Sequence, residues 1–585
     1  MRFSELRTKA GYVIMGIGAL FPILVLARST RSPSRRYSLT LFDDAMISMT
    51  YARTLARTGE LVWYPGATRV QGFTNGLWTV WMAIPHFLTA TPSVAISFVV
   101  LTSLLALIAS AVTIFRIFML IGRLDGQDSA RLALPAAVAV ALTYSTVFWA
   151  LRGMEVGVLA LLVTLLIGQL IKFAHRENEH LRPITNHAVL VGASTLGVLI
   201  RLDFLVITVA LSLASLALAS RSDRFASIYL CLIPSLFASL LVLVGQALYY
   251  GSARPNTYYL KVDGVAVIER LRVGLLYSYK ILPIVLTLLV ALWTVRSDLR
   301  STARAQFIAL TTAAWLATAG FSVYVGGDAW EFDFLINRYL SVVLPLTVPA
   351  GILLFTSPSV GGRVKLPLLL MPFGSLAGAL FLLPPITETG RVTSSKTLNI
   401  LFVVISLILV WHAAKVKRVA ETSGHSRSLI LIFPLVFSAI LAALTQWVEK
   451  GGLHTYDDAT VRLRSEQLHE ITSEDAVIAT VWAGAPAYYS DRQMVDLLGK
   501  SDPVIARLPI KGTFYPGHNK WDYSYSIGEL QPDLVVALWA DPPTDAEMGE
   551  WGYSLWCPLI EIRDDPPIWV RDNSTSIRFK LLDRC

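Results

Sequence analysis

Apolar runs of membrane-crossing length recur along most of this chain. Inside lipid every backbone N–H and C=O must be satisfied within its own segment, so a span takes about 20 apolar residues in helical form. Such runs, some near the lower limit, are read at 93–121, 132–150, 154–173, 187–202, 203–220, 226–249, 275–296, 306–325, 340–356, 366–384, 397–413 and 429–447. Another follows the basic start "MRFSELRTK". The "RSTRSPSRR" after it has no small-residue cleavage site, so it reads as a retained first span rather than a signal peptide. Charged residues make up 16% of the chain, against about a quarter in soluble domains. The expected fold class is a polytopic α-helical membrane protein of about 13 transmembrane helices.

Charge orients these spans. With the N-terminus in the cytoplasm, the inner loops are "RLDGQDSAR", "KFAHRENEHLR", "SRSDR", "RSDLRSTAR", "GGRVK" and "KVKRVAETSGHSR". Each carries Lys or Arg, as the positive-inside rule asks. The net charge of +9 therefore reads as an orientation signal, and nucleic acid is not an expected partner. Loops 29–92, 250–274, 326–339 and 385–396, with everything after 447, fall outside. The apolar piece "GLWTVWMAIPHFL" in the first of them is too short to span and reads as an interfacial helix.

Two domains are expected: a transmembrane domain at 1–447 and an extracytoplasmic α/β domain at 448–585. In the second, "DAVIATVWAGAPAYYS", "QMVDLLG" and "PDLVVALW" have strand length, and "LRSEQLHEIT" reads as a helix. "PIWVRDNSTSIRFKLL" reads as a terminal hairpin turning at "RDNS". Cys557 and Cys585 lie here, where a disulfide would persist, and pairing and free thiols are both open. Cys231 sits in an apolar run and reads as inert core.

The acidic pair Asp43-Asp44, in "TLFDDAMISMTYARTLARTGELVWYPG", opens an expected helix in the first outer loop. Capping accounts for one acid at a helix start. Two beside a low-dielectric boundary suit a base with a raised pKa and a partner that orients it. Outside the cell there is no nucleotide sugar, so a transferase there needs a lipid-carried donor.

The stretch "FDDAMISMTYARTLARTGELVWYPGATRVQGFTNGLWT" resembles the first outer loop of the GT-C family of integral-membrane glycosyltransferases. The nearest branch includes the arabinofuranosyltransferases of actinobacterial cell-wall arabinan. The match runs through Asp43, Asp44, Gly72, Thr74, Asn75, Leu77 and Trp78. It departs at Gln71, where that branch has Glu, and at Gly76, where Pro is common. "YYGSARPNTYYLKV" resembles a second motif, carried by Gly251, Pro255, Asn256, Thr257, Tyr258 and Lys261. "VLIRLDFLVI" resembles an Arg-Pro-acid motif at Arg201 and Asp203, with Leu202 in the place of Pro. "VGGDAWEFDFLINRYLSVVLPL" resembles a third outer loop, with Asp328, Glu331, Asp333 and Arg338. "MVDLLGKSDPVIAR" and "YPGHNKWDY" resemble segments of the soluble part.

The resemblance implies an inverting transferase that moves a sugar, arabinofuranose in the nearest branch, from a polyprenyl-phosphate carrier to a glycan, lipid or protein acceptor. The setting is the outer face of a bacterial inner membrane. Asp43 and Asp44 become the catalytic pair, with Asp43 the base. Asn256, Tyr258, Lys261, Arg201 and Arg338 become donor-binding residues, and Asn75, Trp78, Asp328 and His518, with Lys520, acceptor-binding residues. A divalent cation is compatible with the family, but its ligands are unassigned. Bland readings stand beside these: Lys261 and Arg338 as snorkelling span ends, Arg201–Asp203 as an intramembrane ion pair, His518 as an ordinary loop residue.

Zinc-ligand spacing and a nucleotide-type Gly-rich loop are both missing. Two rival readings remain. A transporter or flippase of lipid-linked glycan would carry polar residues through mid-span, whereas here they gather at outer ends. A glycan-binding scaffold without activity is the other.

Overall fold

The computed structural model describes residues 16, 20–24, 39–126, 128–175, 184–218, 225–278, 281–329, 336–355, 451–557 and 567–578. Most of the first expected span, the three at 366–384, 397–413 and 429–447, and Glu331, Asp333 and Cys585 lie outside them. Among the described residues four helices are long and apolar enough to cross a membrane: Pro92–Leu124 (α3), Val156–Ala174 (α6), Ile228–Tyr250 and Ala303–Tyr324. Ala133–Ala141 (α4) and Tyr144–Leu151 (α5) belong to a bent pair that could make a fifth, broken by 50°. At the break the Thr143 hydroxyl donates back to the Ala139 carbonyl at 3.1 Å. The runs expected at 187–202 and 203–220 form apolar helices too short to span comfortably, Asn186–Ile200 and Phe204–Leu218. The fold is that of a polytopic helical membrane protein, with fewer full-length spans in the described part than the apolar runs suggest.

α3, α4 and α6 pack together and share one apolar core with Ala303–Tyr324. The indoles buried in it have satisfied tips: Trp149 donates to the Ile336 carbonyl at 2.9 Å and Trp315 to the Thr347 hydroxyl at 3.0 Å.

Two helices of the first loop sit on this bundle. α1 is Asp43–Thr58. Its first turn holds both acids and its last turn Arg57, which suits the dipole, and Gly59 ends it at φ +77. α2 is Gly76–Phe87. It turns Trp78, Thr79, Met82 and Ala83 inward and leaves Val80, Trp81, Ile84 and Phe87 exposed, an apolar outer face of the kind expected at a membrane interface.

The C-terminal part begins with the helix Gly451–Ile471. A five-stranded sheet follows, ordered β2-β1-β3-β5-β4, with β1 Val477–Thr480, β2 Gln493–Asp496, β3 Leu534–Val535, β4 Tyr553–Trp556 and β5 Ile568–Arg571. β1 lies parallel to β2 and β3, whereas β5 runs antiparallel to β3 and β4. Two details differ from the sequence reading. "APAYYS" is a helix, α7 (Ala485–Ser490), with Pro486 in its first turn, where proline's fixed φ is already helical. β5 finds its hairpin partner upstream in β4, while Ile577 beyond "RDNS" makes an isolated bridge to Thr472. Cys557 is disulfide-bonded, and Cys231 is buried with a free thiol.

Candidate active site

α1, the turn after β2 and the short helix Arg338–Ser341 meet at Asp44. Its two carboxylate oxygens face two cations: Oδ2 lies 2.7 Å from Arg338 Nη1 and Oδ1 lies 3.1 Å from Lys500 Nζ. Arg338 carries the network on, with Nε 3.0 Å from Asp328 Oδ2. Lys261 Nζ lies 3.7 Å from Asp328 Oδ1 and donates to the Tyr339 hydroxyl at 3.1 Å. The Tyr339 ring is the hub, with Arg201, Lys261 and Arg338 at 5.4, 5.6 and 5.9 Å from its centroid. Arg201 is itself held by Glu155 at 2.7 Å and Asp203 at 2.9 Å. The structure thus gathers Asp44, Lys261, Arg338, Asp328 and Arg201 around one tyrosine.

Asp43 faces the other way, and its partner is the C-terminal part. The N-cap of α1 is Phe42, with no side-chain cap, so neither acid caps its own helix. Asp43 Oδ1 accepts the N–H groups of Ala485 at 2.8 Å and Gly484 at 3.2 Å. Its Oδ2 has only a long 3.4 Å contact with Gly484. Gly484 is required at this approach: a Cβ there would stand 2.1 Å from the Asp43 carbonyl and 2.8 Å from Ile47 N, backbone atoms that cannot step aside.

The two carboxyls are driven apart electrostatically. Burial pushes Asp43 up to about 6 against the pull of Lys500 and the two amides. Asp44 is as deeply buried, yet the charges and hydrogen bonds of Lys500 and Arg338 overcome that penalty and hold it well below the usual carboxylate range. Lys500 is correspondingly raised, its burial outweighed by Asp44 and Asp43. A pair of acids pushed in opposite directions is the pattern of a base beside a permanent anion.

Beside Arg338 opens a small cleft between helices. Its polar end is made by Arg201, Arg338, Asp203 and Glu155, and its walls by Val156, Leu159, Phe204, Ile207, Phe321 and Val342.

Other residues singled out in the sequence are placed as fasteners. Asn256 donates to the carbonyls of Gly499 at 3.1 Å and Asp502 at 3.0 Å. The Tyr258 ring packs under Arg254, whose guanidinium carbon lies 4.6 Å from its centroid. Trp78 is core, its indole donating to the Gly153 carbonyl at 2.9 Å. Asn75 is buried between the Ser48 hydroxyl and Glu155, each at 2.8 Å, so it reaches Arg201 only through Glu155. His518 is buried, with Nδ1 3.0 Å from the Pro516 carbonyl; burial pushes it down to about 3, which leaves a neutral ring. The buried Lys520 ammonium donates to Tyr259 O, Ala506 O and Asp263 O at 2.9, 3.0 and 3.3 Å.

Sequence reasoning missed Glu155, Tyr339 and Lys500. Lys500 alone left a signal: Asp496, Gly499 and Ser501 around it compose a tight turn. Among the described residues no group of three or more His, Cys, Asp and Glu could hold a metal ion. The acids here are matched by Lys and Arg, so this donor set does not fit a divalent cation.

Solved structures with this fold exist. ArnT from Cupriavidus metallidurans bound to undecaprenyl phosphate aligns with a TM-score of 0.55 at 14% identity, covering 96% of this chain and 97% of that one. Its apo form gives 0.52 at 15%, covering 96% and 98%. The archaeal oligosaccharyltransferase AglB from Archaeoglobus fulgidus, in complex with an inhibitory peptide and a dolichol-phosphate, gives 0.42 at 11%, covering 97% and 75%. At such identities the ArnT likeness establishes a common fold. Residues 454–570 match a family described as a domain of unknown function, DUF8728. No curated protein matches the chain.

Proposed function

We propose that this chain is a GT-C-type glycosyltransferase that takes a sugar from a polyprenyl-phosphate carrier at the outer face of a bacterial inner membrane. The observation that carries the reading is the cleft: apolar walls between helices, the guanidiniums of Arg201 and Arg338 with the carboxylates of Glu155 and Asp203 at one end, and Asp44, next to Asp43, reached through Arg338. An amphiphile with an anionic head and a hydrocarbon tail fits that chemistry, and the protein that shares the fold is bound to undecaprenyl phosphate. Arabinofuranose is the sugar that the sequence resemblance suggests, and a cell-envelope glycan, lipid or protein is the acceptor class.

The reaction is a single displacement. The acceptor oxygen attacks the anomeric carbon as the bond from that carbon to the phosphate oxygen breaks. Asp43 takes the acceptor proton, through the Oδ2 left nearly free of hydrogen bonds. Arg338 and Arg201, with Lys261 behind Asp328, stabilise the phosphate as it gains charge. Asp44 fixes the cations. No step is assigned to a metal ion.

Residues 1–447 form the membrane part in this reading and 448–585 the outer part, with the N-terminus cytoplasmic. A reporter active only outside the cytoplasm, fused after Cys585, should be active; a stable but inactive fusion would reverse the orientation. The reading itself is tested with purified protein and undecaprenyl phosphate. Saturable binding is expected, weakened by Arg201→Gln, and its absence in folded protein overturns the donor assignment. The pH profile follows from Asp43, which must be ionised to act and which burial holds at about 6. Transfer should therefore fall roughly tenfold per pH unit below that midpoint. A profile flat from about pH 5 to 7 would remove Asp43 as the base.

A further inference from the structure

The turn that presents Lys500 is largely buried and tied down on several sides. Asp496 Oδ1 accepts the N–H groups of Leu498 at 3.0 Å and Gly499 at 3.2 Å, and Oδ2 accepts that of Ser501 at 2.6 Å. Gly499 turns the chain at φ +78. Asn256 holds the Gly499 carbonyl from the membrane side. Gly72 presses in from the first loop, where a Cβ would stand 2.5 Å from Ser501 Oγ and 3.0 Å from the Lys500 carbonyl. The ammonium so fixed is 12% exposed, and it meets Asp44 on the oxygen that Arg338 does not use.

Resting on the donor assignment above, this has a consequence for the order of contacts. Arg338 lines the cleft, whereas Lys500 does not. An incoming phosphate therefore draws on Arg338 and loosens its hold on Asp44, while the Lys500 contact is untouched. We propose that Lys500 is a positioning residue for transfer: supplied by the C-terminal part, its charge holds Asp44 in place beside Asp43 while Arg338 serves the donor. The charged groups facing the pair are Lys500 with Asp496 behind it, and Arg338 with Asp328 and Lys261 beyond it. His518, also near, is kept neutral by burial.

The test uses the full chain in nanodiscs, comparing Lys500→Gln and Lys500→Arg with the native protein. The carboxyl infrared band lost in Asp43→Asn identifies Asp43, and its pH titration needs no substrate. With Lys500→Gln the Asp43 midpoint should rise by about one to three pH units, and with Lys500→Arg it should return to within about half a unit of native. Undecaprenyl phosphate should bind within about threefold of native in both, while turnover falls in the Gln variant alone. A folded Lys500→Gln protein with an unmoved midpoint overturns the proposal. So does a Lys500→Arg protein that shifts as far as Gln, because a merely structural turn would respond to shape and not to charge. If Lys500→Gln does not fold, Lys500→Met removes the charge at similar volume and is read the same way. Failure of the native protein to bind undecaprenyl phosphate would reject the donor assignment, and the Asp43 titration would still decide the role of Lys500.

Discussion

Asp43→Asn is expected to cut sugar transfer by about 10²–10⁴-fold in a protein that stays folded and still binds undecaprenyl phosphate. The separation is possible because Asp43 has two tasks on two oxygens. Oδ1 accepts the Ala485 and Gly484 amides, and an asparagine carbonyl can do the same at a cost well under ~1 kcal/mol. Oδ2 is the oxygen free for a proton, and an amide nitrogen in its place cannot take one. In the proposed reading the phosphate meets Arg338 and Arg201, which lie in other segments and line the cleft. Asp44→Asn should behave differently, because it strips two buried cations of their shared partner and should lower stability as well as rate. Near-normal transfer by folded Asp43→Asn would leave Asp43 as a docking residue alone. A larger loss with Asp44→Asn in an equally stable protein would exchange the two roles.

Arg338→Ala is expected to have the largest effect on stability, a loss of about 3–5 kcal/mol, because it breaks two buried pairs at once. Asp328 is 1% exposed and sits 3.0 Å from Arg338 Nε, and Asp44 sits 2.7 Å from Nη1. Neither has bulk water to fall back on when the guanidinium goes. Undecaprenyl phosphate affinity should fall by at least tenfold in whatever protein remains folded. Arg338→Lys should recover part of the stability but little of the affinity, since an ammonium cannot bridge two carboxylates and face a phosphate with one planar fork. Adding Asp328→Asn to Arg338→Ala should cost less than the two separately, as expected for partners in one network. Unaltered melting and donor binding in Arg338→Ala would return this arginine to a span-end anchor.

What could be read from the sequence follows what local pattern can carry. Arg338 stood out because a basic residue before an apolar run is conspicuous, and Asp43-Asp44 because two acids open a helix. Their roles were less visible. Nothing near Asp43 in the chain announces that its carboxylate receives amides from Gly484 and Ala485, more than four hundred residues on. Glu155 was overlooked because one acid at the start of an apolar helix reads as a terminus, and its partner Arg201 belongs to another helix pair. Asn256 and Lys520 read as ligand residues because the stretches that carry them, "RPNTYYLK" and "YPGHNKWDY", resemble family motifs. In the fold their partners are backbone carbonyls of neighbouring segments, which sequence pattern does not reveal. "APAYYS" misled because it continues an apolar run of strand length, whereas in the fold it forms a separate helix with Pro486 in its first turn. The apolar runs were countable, but where one breaks, as between Ala141 and Tyr144, is not written in its hydrophobicity.

The pairing of Asp44 with Lys500 also bears on how the protein is made. A chain grows from its N-terminus, so both acids are placed long before the turn that answers them has been translated. Until then Asp44 has Arg338 at most, and the Asp43 carboxylate has no amides to receive. Closing a loop of this length costs only modestly more entropy than closing one half as long, so the late contact is affordable once the last segment arrives. A ribosome that stops early therefore leaves a chain with its acidic pair but without the Lys500 ammonium and the Gly484 and Ala485 amides that meet it in the finished fold.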